Sequence, residues 1–271
     1  MNDESKNQVL HEVGWFTLIT YIIGSIFMYF AINTGDVDAS GGLYVLGGMW
    51  SPGIAAVIML SFYRRPLTSF GWGWGKTKYQ LGSYLLPAAY VLAAQIIVWT
   101  TGLGGLVGEP LGKMVFGSLK NAIMWTGLAC IFALGEEIGW SGYFAPRLAG
   151  IMSFTQVALA RGLVWSVWHY PLIIWSDYGP VTLPLWYKLL IFTIVMTAIS
   201  FPYTWLRLQS GSIWTGMFMH ASHNLFIQKI FPPLTINTGK TDWFVNEFGL
   251  VVASVTIVVA IIFWRRKTVT K

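Results

Sequence analysis

The chain has 271 residues, of which 55% are hydrophobic and only 10% are charged, whereas a soluble domain carries about 25% charged residues. This composition excludes a water-soluble globular protein and indicates an integral membrane protein. The net charge of +6 does not indicate a nucleic-acid partner, because the basic residues are few and lie mainly between apolar runs.

Apolar segments long enough to span a bilayer, about 20 residues each, recur along the whole chain. Eight of them lie near residues 13–33, 43–63, 80–100, 121–143, 156–176, 184–206, 211–229 and 247–264. The sequence therefore predicts an all-α, polytopic membrane helix bundle of about eight transmembrane helices. Residues 1–271 are expected to form a single integral membrane domain.

Basic residues between these segments predict the orientation of the bundle. If the N-terminus is cytoplasmic, twelve of the seventeen Lys and Arg residues fall on the cytoplasmic side. They are Lys6, Arg64, Arg65, Lys76, Lys78, Arg147, Arg161, Arg207, Arg265, Arg266, Lys267 and Lys271. Such an excess is typical of cytoplasmic segments, so we expect both termini to be cytoplasmic. The expected location is a cell membrane, namely a bacterial plasma membrane, crossed several times.

Ionisable side chains occur in the middle of three of the predicted spans. The fourth carries Glu136 and Glu137, the fifth carries His169, and the seventh carries His220 with Asn224 one turn later. An acidic side chain in mid-membrane costs roughly 2.5–3.5 kcal/mol on insertion scales. We therefore expect these groups to face a shared polar site inside the bundle.

The depth of these groups can be estimated from the helix rise. If Arg147, Arg161 and Gly211 mark the cytoplasmic interface, the polar groups of all three spans lie ~12–15 Å deep at a rise of ~1.5 Å per residue. The two adjacent glutamates point about 100° apart on a helix. One can thus face a cavity, where a carboxylate can activate a water as a general base.

Three short motifs carry a resemblance to a known family. They are "EEIGWS" from Glu136, "WSVWH" ending at His169, and "HASHN" from His220 to Asn224. In this order they resemble the CPBP family of CAAX proteases and bacteriocin-processing enzymes, which includes the type II CAAX prenyl endopeptidase. The family pattern is Glu-Glu-x-x-x-Arg, Phe-x-x-x-His and His-x-x-x-Asn or Asp. The resemblance covers about residues 121–227, the expected catalytic core.

The resemblance implies an intramembrane endopeptidase that cleaves a peptide bond near the cytoplasmic membrane face. It implies that Glu136 is the general base, that His169 helps to hold the water, and that His220 and Asn224 stabilise the oxyanion. Glu137 would support the site. The implied partners are the lipid bilayer and a membrane-proximal peptide or protein substrate, lipidated or not.

The sequence is compatible with a metal-dependent site and with a metal-free site. Members of this family are usually labelled metalloproteases, and Glu136, His169 and His220 would make a zinc set with one open position. The His-Glu-x-x-His signature of many zinc proteases is absent. A site without a metal, based on a glutamate, would use the same groups.

Ser141 departs from the family pattern, which has Arg at this position, and a hydroxyl cannot replace that charge. Arg147 is expected to lie too far along the helix to substitute for it. Two alternatives therefore remain beside the endopeptidase. One is an ion- or proton-coupled transporter, in which the same groups relay ions. The other is a catalytically silent relative that binds peptides or confers immunity. We interpret His223 as structural.

Overall fold

The computed structural model describes residues 3–34 and 42–266. The connection between the first two predicted spans lies outside the described residues, as do Lys267 and Lys271, which contributed to the predicted orientation. Within the described ranges the chain is a bundle of α-helices. Their bounds are α1 Asp3–Asn33, α2 Leu43–Phe62, α3 Thr77–Thr100, α4 Leu111–Glu137, α5 Ala145–Ala149, α6 Phe154–Trp175, α7 Leu185–Ser210, α8 Trp214–Asn224 and α9 Leu250–Trp264.

Two π-helical segments extend this framework. Ile138–Phe144 joins α4 to α5, and Leu225–Ile230 continues α8. Two very short strands, β1 Gly105–Leu106 and β2 Thr235–Ile236, pair in an antiparallel arrangement. The pairing joins the connection after α3 to the connection before α9.

The predicted membrane helix bundle is confirmed, whereas the number of eight spans is not. Six described helical stretches are long and apolar enough to cross a bilayer. The segments predicted near 211–229 and 247–264 contain α8 and α9, which have 11 and 15 residues. α9 is shorter than the about 20 residues that a spanning helix needs, and α8 stays below that length even with the six residues of its π-helical continuation Leu225–Ile230. The exact number of spans and the cytoplasmic position of the termini stay predictions.

The bundle has two ends. The basic end carries the connections 63–76, 150–153 and 211–213, and a backbone hydrogen bond from Ile213 to Gly71 joins two of them. The opposite end carries the connections 101–110, 176–184 and 231–249, where a bond from Thr182 to Asp242 joins two. A cavity in the interior can therefore open toward the basic end or toward the opposite end.

At the basic end, a buried carboxylate ties three parts of the chain together. Glu12 of α1 is fully buried and accepts two hydrogen bonds from Arg65, at 2.7 and 2.8 Å. Arg147 of α5 bonds the same carboxylate. Arg147 is therefore engaged with Glu12, in agreement with the expectation that it cannot take the place of the motif arginine.

Close packing of α2 against α4 positions the glutamate pair. A Cβ atom at Gly53 would lie 2.6 Å from the carbonyl oxygen of Gly135, and one at Gly139 would lie 2.4 Å from Pro52. Small residues allow such close approach of helix backbones in membranes. Since Gly135 precedes Glu136 directly, α2 fixes the backbone at the point where the pair begins.

Candidate active site

The glutamate pair ends α4, directly before the π-helical segment Ile138–Phe144. Both side chains are buried, with 1% of Glu136 and none of Glu137 exposed. Single π-helical turns within α-helices occur frequently at functional sites. Nothing in the sequence pattern indicated this change of helix type.

Glu136 is held by two tryptophans. Its Oε2 accepts hydrogen bonds from the indole N–H of Trp140 at 3.1 Å and of Trp165 at 2.7 Å. Its Oε1 lies 3.9 Å from Nε2 of His220. Trp165 stands where the family pattern has Phe, which has no N–H. The substitution therefore adds a hydrogen-bond donor to the carboxylate.

Glu137 is the anion of a buried ion pair. Arg161 of α6 donates to both of its oxygens, at 2.9 Å each, and the hydroxyl of Ser141 bonds the same carboxylate. Arg161 also donates to the Ser141 oxygen at 3.0 Å, and its guanidinium lies over the ring of Tyr203 at 4.3 Å. A guanidinium thus sits beside Ser141, although the motif arginine is missing from the sequence there.

Arg161 is fully buried in the bundle, where the charge of Glu137 compensates its own. Its position at the cytoplasmic interface, and the depth of His169 counted from it, stay predictions. His169 lies two helical turns beyond Arg161, farther toward the opposite end, and the spacing of Arg161, Trp165 and His169 places all three on one face of α6.

His220 lies between the two glutamates. Its Nδ1 is 3.2 Å from Oε1 of Glu137, and its Nε2 faces Glu136. Its ring packs edge-on against Trp165 with 5.2 Å between the centroids. This arrangement agrees with the expectation that the two glutamate side chains point in different directions, since each carboxylate lies near a different nitrogen of the ring.

Gly216, one turn before His220, permits this close approach of α8. A Cβ atom there would lie 2.4 Å from Oγ of Ser141 and 2.5 Å from Oε2 of Glu137. The sequence analysis did not single out this glycine. Its position four residues before His220, on the same helix face, was the available signal.

We expect Gly216→Ala to lower peptide cleavage at least about tenfold, which corresponds to about 1.4 kcal/mol in the barrier. The added methyl group must displace Glu137 and Ser141, which Arg161 holds in place. The measurement is kcat/KM on a cleavable peptide. Gly117→Ala is the matched control, since a Cβ there meets no atom within 4 Å. Equal activity of both variants would contradict the importance of the contact.

A cavity of about 430 Å³ connects this site with the opposite end of the bundle, a size within the range of ligand pockets. Glu136 and His220 line it at the inner end, and His169 and Asn224 line it as well. Within the described ranges, no hydrogen bond joins His169 or Asn224 to either glutamate. The structure thus brings His220 into contact with the pair and places the other two predicted residues along the same cavity.

Two further features of the cavity involve residues that are not in the family motifs. Glu247 lines it near the opposite end and accepts a hydrogen bond from Gln228 at 2.6 Å, and burial raises the pKa of this carboxyl above its ordinary value. His223 is buried, and its Nδ1 lies 2.5 Å from the hydroxyl of Tyr90. That contact is of the kind a structural imidazole makes.

The candidate zinc set does not converge in this arrangement. Among the residues that the structure describes, no three His, Cys, Asp or Glu side chains are placed to hold a metal ion. Both nitrogens of His220 face carboxylates, and Oε2 of Glu136 is engaged by two indoles. The donor groups of the described residues therefore do not fit a zinc site.

Comparison with known proteins finds similarity to CAAX proteases in the part of the chain that carries the site. Residues 118–226 match the model of the family described as Type II CAAX prenyl endopeptidase Rce1-like, so this part of the chain is similar to that family of proteases. It is 27% identical over 145 residues to CAAX prenyl protease 2 of Methanococcus maripaludis. This alignment covers 52% of each protein, so the chain spans about half the length of the curated relative that it matches. The resemblance found from the three motifs is confirmed.

Proposed function

We propose that this chain is an intramembrane endopeptidase in which Glu136 activates a water for attack on a peptide bond. The observation that carries the proposal is the position of Glu136 at the inner end of the cavity. Two indole N–H groups fix its Oε2, and its Oε1 faces His220. A carboxylate held in this way can accept a proton from a water on its Oε1 side.

In the proposed reaction, the water oxygen bonds to the carbonyl carbon while its proton passes to Glu136. The carbonyl π electrons move to the oxygen, and the resulting oxyanion accepts hydrogen bonds from His220 and Asn224. Glu136 then returns the proton to the leaving nitrogen as the C–N bond breaks. His169, which lines the same cavity, helps to hold the attacking water.

Glu137 acts on this reaction through His220. When Nδ1 of the ring donates to Glu137, Nε2 can donate to an oxyanion only if the ring carries both protons. Arg161 and Ser141 fix the carboxylate of Glu137 in turn. Glu137 is therefore proposed as a supporting residue that sets the orientation of the ring.

The direct test is cleavage by the purified full chain in lipid nanodiscs, with a library of membrane-proximal peptides and mass-spectrometric detection of products. New termini that are absent with the Asn224→Ala variant support the endopeptidase. Ion flux in proteoliposomes without cleavage would favour the transporter. Peptide binding without products would favour the silent relative.

We expect removal of divalent metals to leave this cleavage unchanged, because the described donor groups form no zinc set. The measurement compares initial rates before and after prolonged treatment with 1,10-phenanthroline, followed by dialysis. A loss of activity that added Zn²⁺ restores would contradict the proposal of a water activated by Glu136 alone.

A further inference from the structure

The cavity has its mouth at the opposite end of the bundle. Asp177, Gln228 and Lys229 line it there, and all three side chains are exposed. Tyr178 and Glu247 line the next part of the cavity, before His169 and Asn224. None of the described residues that line the cavity comes from the connections at the basic end.

Beyond the glutamates, toward the basic end, the interior is closed by packed side chains. Ser141, Tyr143 and Phe144 follow the pair along the chain, and each is at most 2% exposed. The ring of Phe16 packs on Tyr143 with 5.1 Å between the centroids, and Arg161 is fully buried beside them. The cavity therefore gives a peptide access to Glu136 from the opposite end, and its described lining does not reach the connections at the basic end.

The charges of the two ends differ. Among the described residues, the basic end carries eight Lys and Arg residues with partly or fully exposed side chains, whereas the half of the bundle toward the opposite end carries five lysines. The first set is Lys6, Arg64, Arg65, Lys76, Lys78, Arg147, Arg265 and Arg266. The second set is Lys113, Lys120, Lys188, Lys229 and Lys240. An excess of Lys and Arg in short connections marks the cytoplasmic side of a membrane protein.

We propose that the mouth of the cavity faces away from the cytoplasm and that the substrate is a peptide segment displayed on that outer side. This inference rests on the proposed peptidase function. The substrate class is an extracytoplasmic segment of an exported or membrane-anchored protein. The free C-terminus of a cytosolic protein cannot reach the mouth in this orientation. The cytoplasmic access that the family resemblance implies is therefore reversed for this chain.

The orientation can be tested with single cysteines, because Cys130 is the one cysteine of the sequence. In a Cys130→Ala background, Lys229→Cys places a thiol at the mouth, and Lys78→Cys places one at the basic end. Cells without an outer membrane, or spheroplasts, are treated with a membrane-impermeant maleimide before and after permeabilisation. We expect Lys229→Cys to be labelled at least tenfold more than Lys78→Cys before permeabilisation, and both to be labelled equally afterwards.

The reverse labelling pattern, or a thiol at position 229 that stays unlabelled after permeabilisation, would overturn the inference. This readout does not depend on cleavage, so it separates a wrong orientation from a wrong function. In the purified protein, a polyethylene-glycol maleimide on Lys229→Cys is expected to reduce cleavage at least tenfold, and on Lys78→Cys to leave it unchanged. Unchanged cleavage with the bulky group at the mouth would show that the substrate uses another route.

Discussion

Glu136→Gln is expected to reduce kcat/KM for peptide cleavage by about 10²–10⁴-fold, the range typical of a lost general base. The amide oxygen of Gln can still accept the indole hydrogen bonds of Trp140 and Trp165, so the fold should persist. It cannot take a proton from water at neutral pH. The measurement is steady-state cleavage of a peptide identified from the library, with thermal unfolding of both proteins as a check on folding.

Glu247→Gln is the matched control for this experiment. Glu247 is the second buried carboxylate that lines the cavity, and its amide analogue can keep the contact with Gln228. We expect less than a tenfold change in cleavage. If Glu247→Gln abolished cleavage while Glu136→Gln retained it, the base would have been assigned to the wrong carboxylate.

Arg161→Ser is expected to destabilise the protein by about 3–5 kcal/mol, the usual cost of removing one partner from a buried ion pair. The substitution leaves the carboxylate of Glu137 without its two 2.9 Å hydrogen bonds from the guanidinium. Since Glu137 is proposed to orient His220, cleavage should fall as well. Thermal unfolding in detergent measures the first effect, and kcat measured well below the unfolding temperature measures the second.

Ser141→Arg in the Arg161→Ser background tests whether the guanidinium alone matters. Position 141 is one turn from Glu137, and the hydroxyl of Ser141 lies 3.0 Å from Arg161. The exchange therefore moves the charge to the motif position at nearly constant side-chain volume. We expect it to recover most of the lost stability and cleavage, whereas Ser141→Arg alone should be harmful because two cations would compete for one carboxylate. Full activity of Arg161→Ser would contradict any role for the pair.

The class of fold could be predicted from the sequence. With only 10% charged residues, the chain cannot cover a surface exposed to water, so most of its surface must contact lipid. The exact number of spans could not be predicted with the same certainty. The short α8 carries His220, His223 and Asn224 on helical turns that face the interior. Its apolar residues therefore reflect packing inside the bundle and not contact with lipid. The length of an apolar segment alone does not distinguish a helix buried in the protein from a helix that contacts lipid.

The candidate site could be predicted in part. The motif spacing identified Glu136, Glu137 and His220, which the structure places in contact. The burial of Arg161 was not predicted, because an arginine near the start of an apolar segment is normally an interface residue. Its pairing with Glu137 depends on how α6 packs against α4, and no local pattern encodes that packing. The bonds of Trp140 and Trp165 to Glu136 depend on the same packing.

The two indole hydrogen bonds make the oxygens of Glu136 chemically distinct. Because both donors bind Oε2, Oε1 is the oxygen left to take up a proton in the proposed reaction. The attacking water is then held at the Oε1 edge of the carboxylate, which is the edge that faces His220. The scissile carbonyl must therefore approach Glu136 from the His220 side, so the tryptophan pair sets the direction of attack.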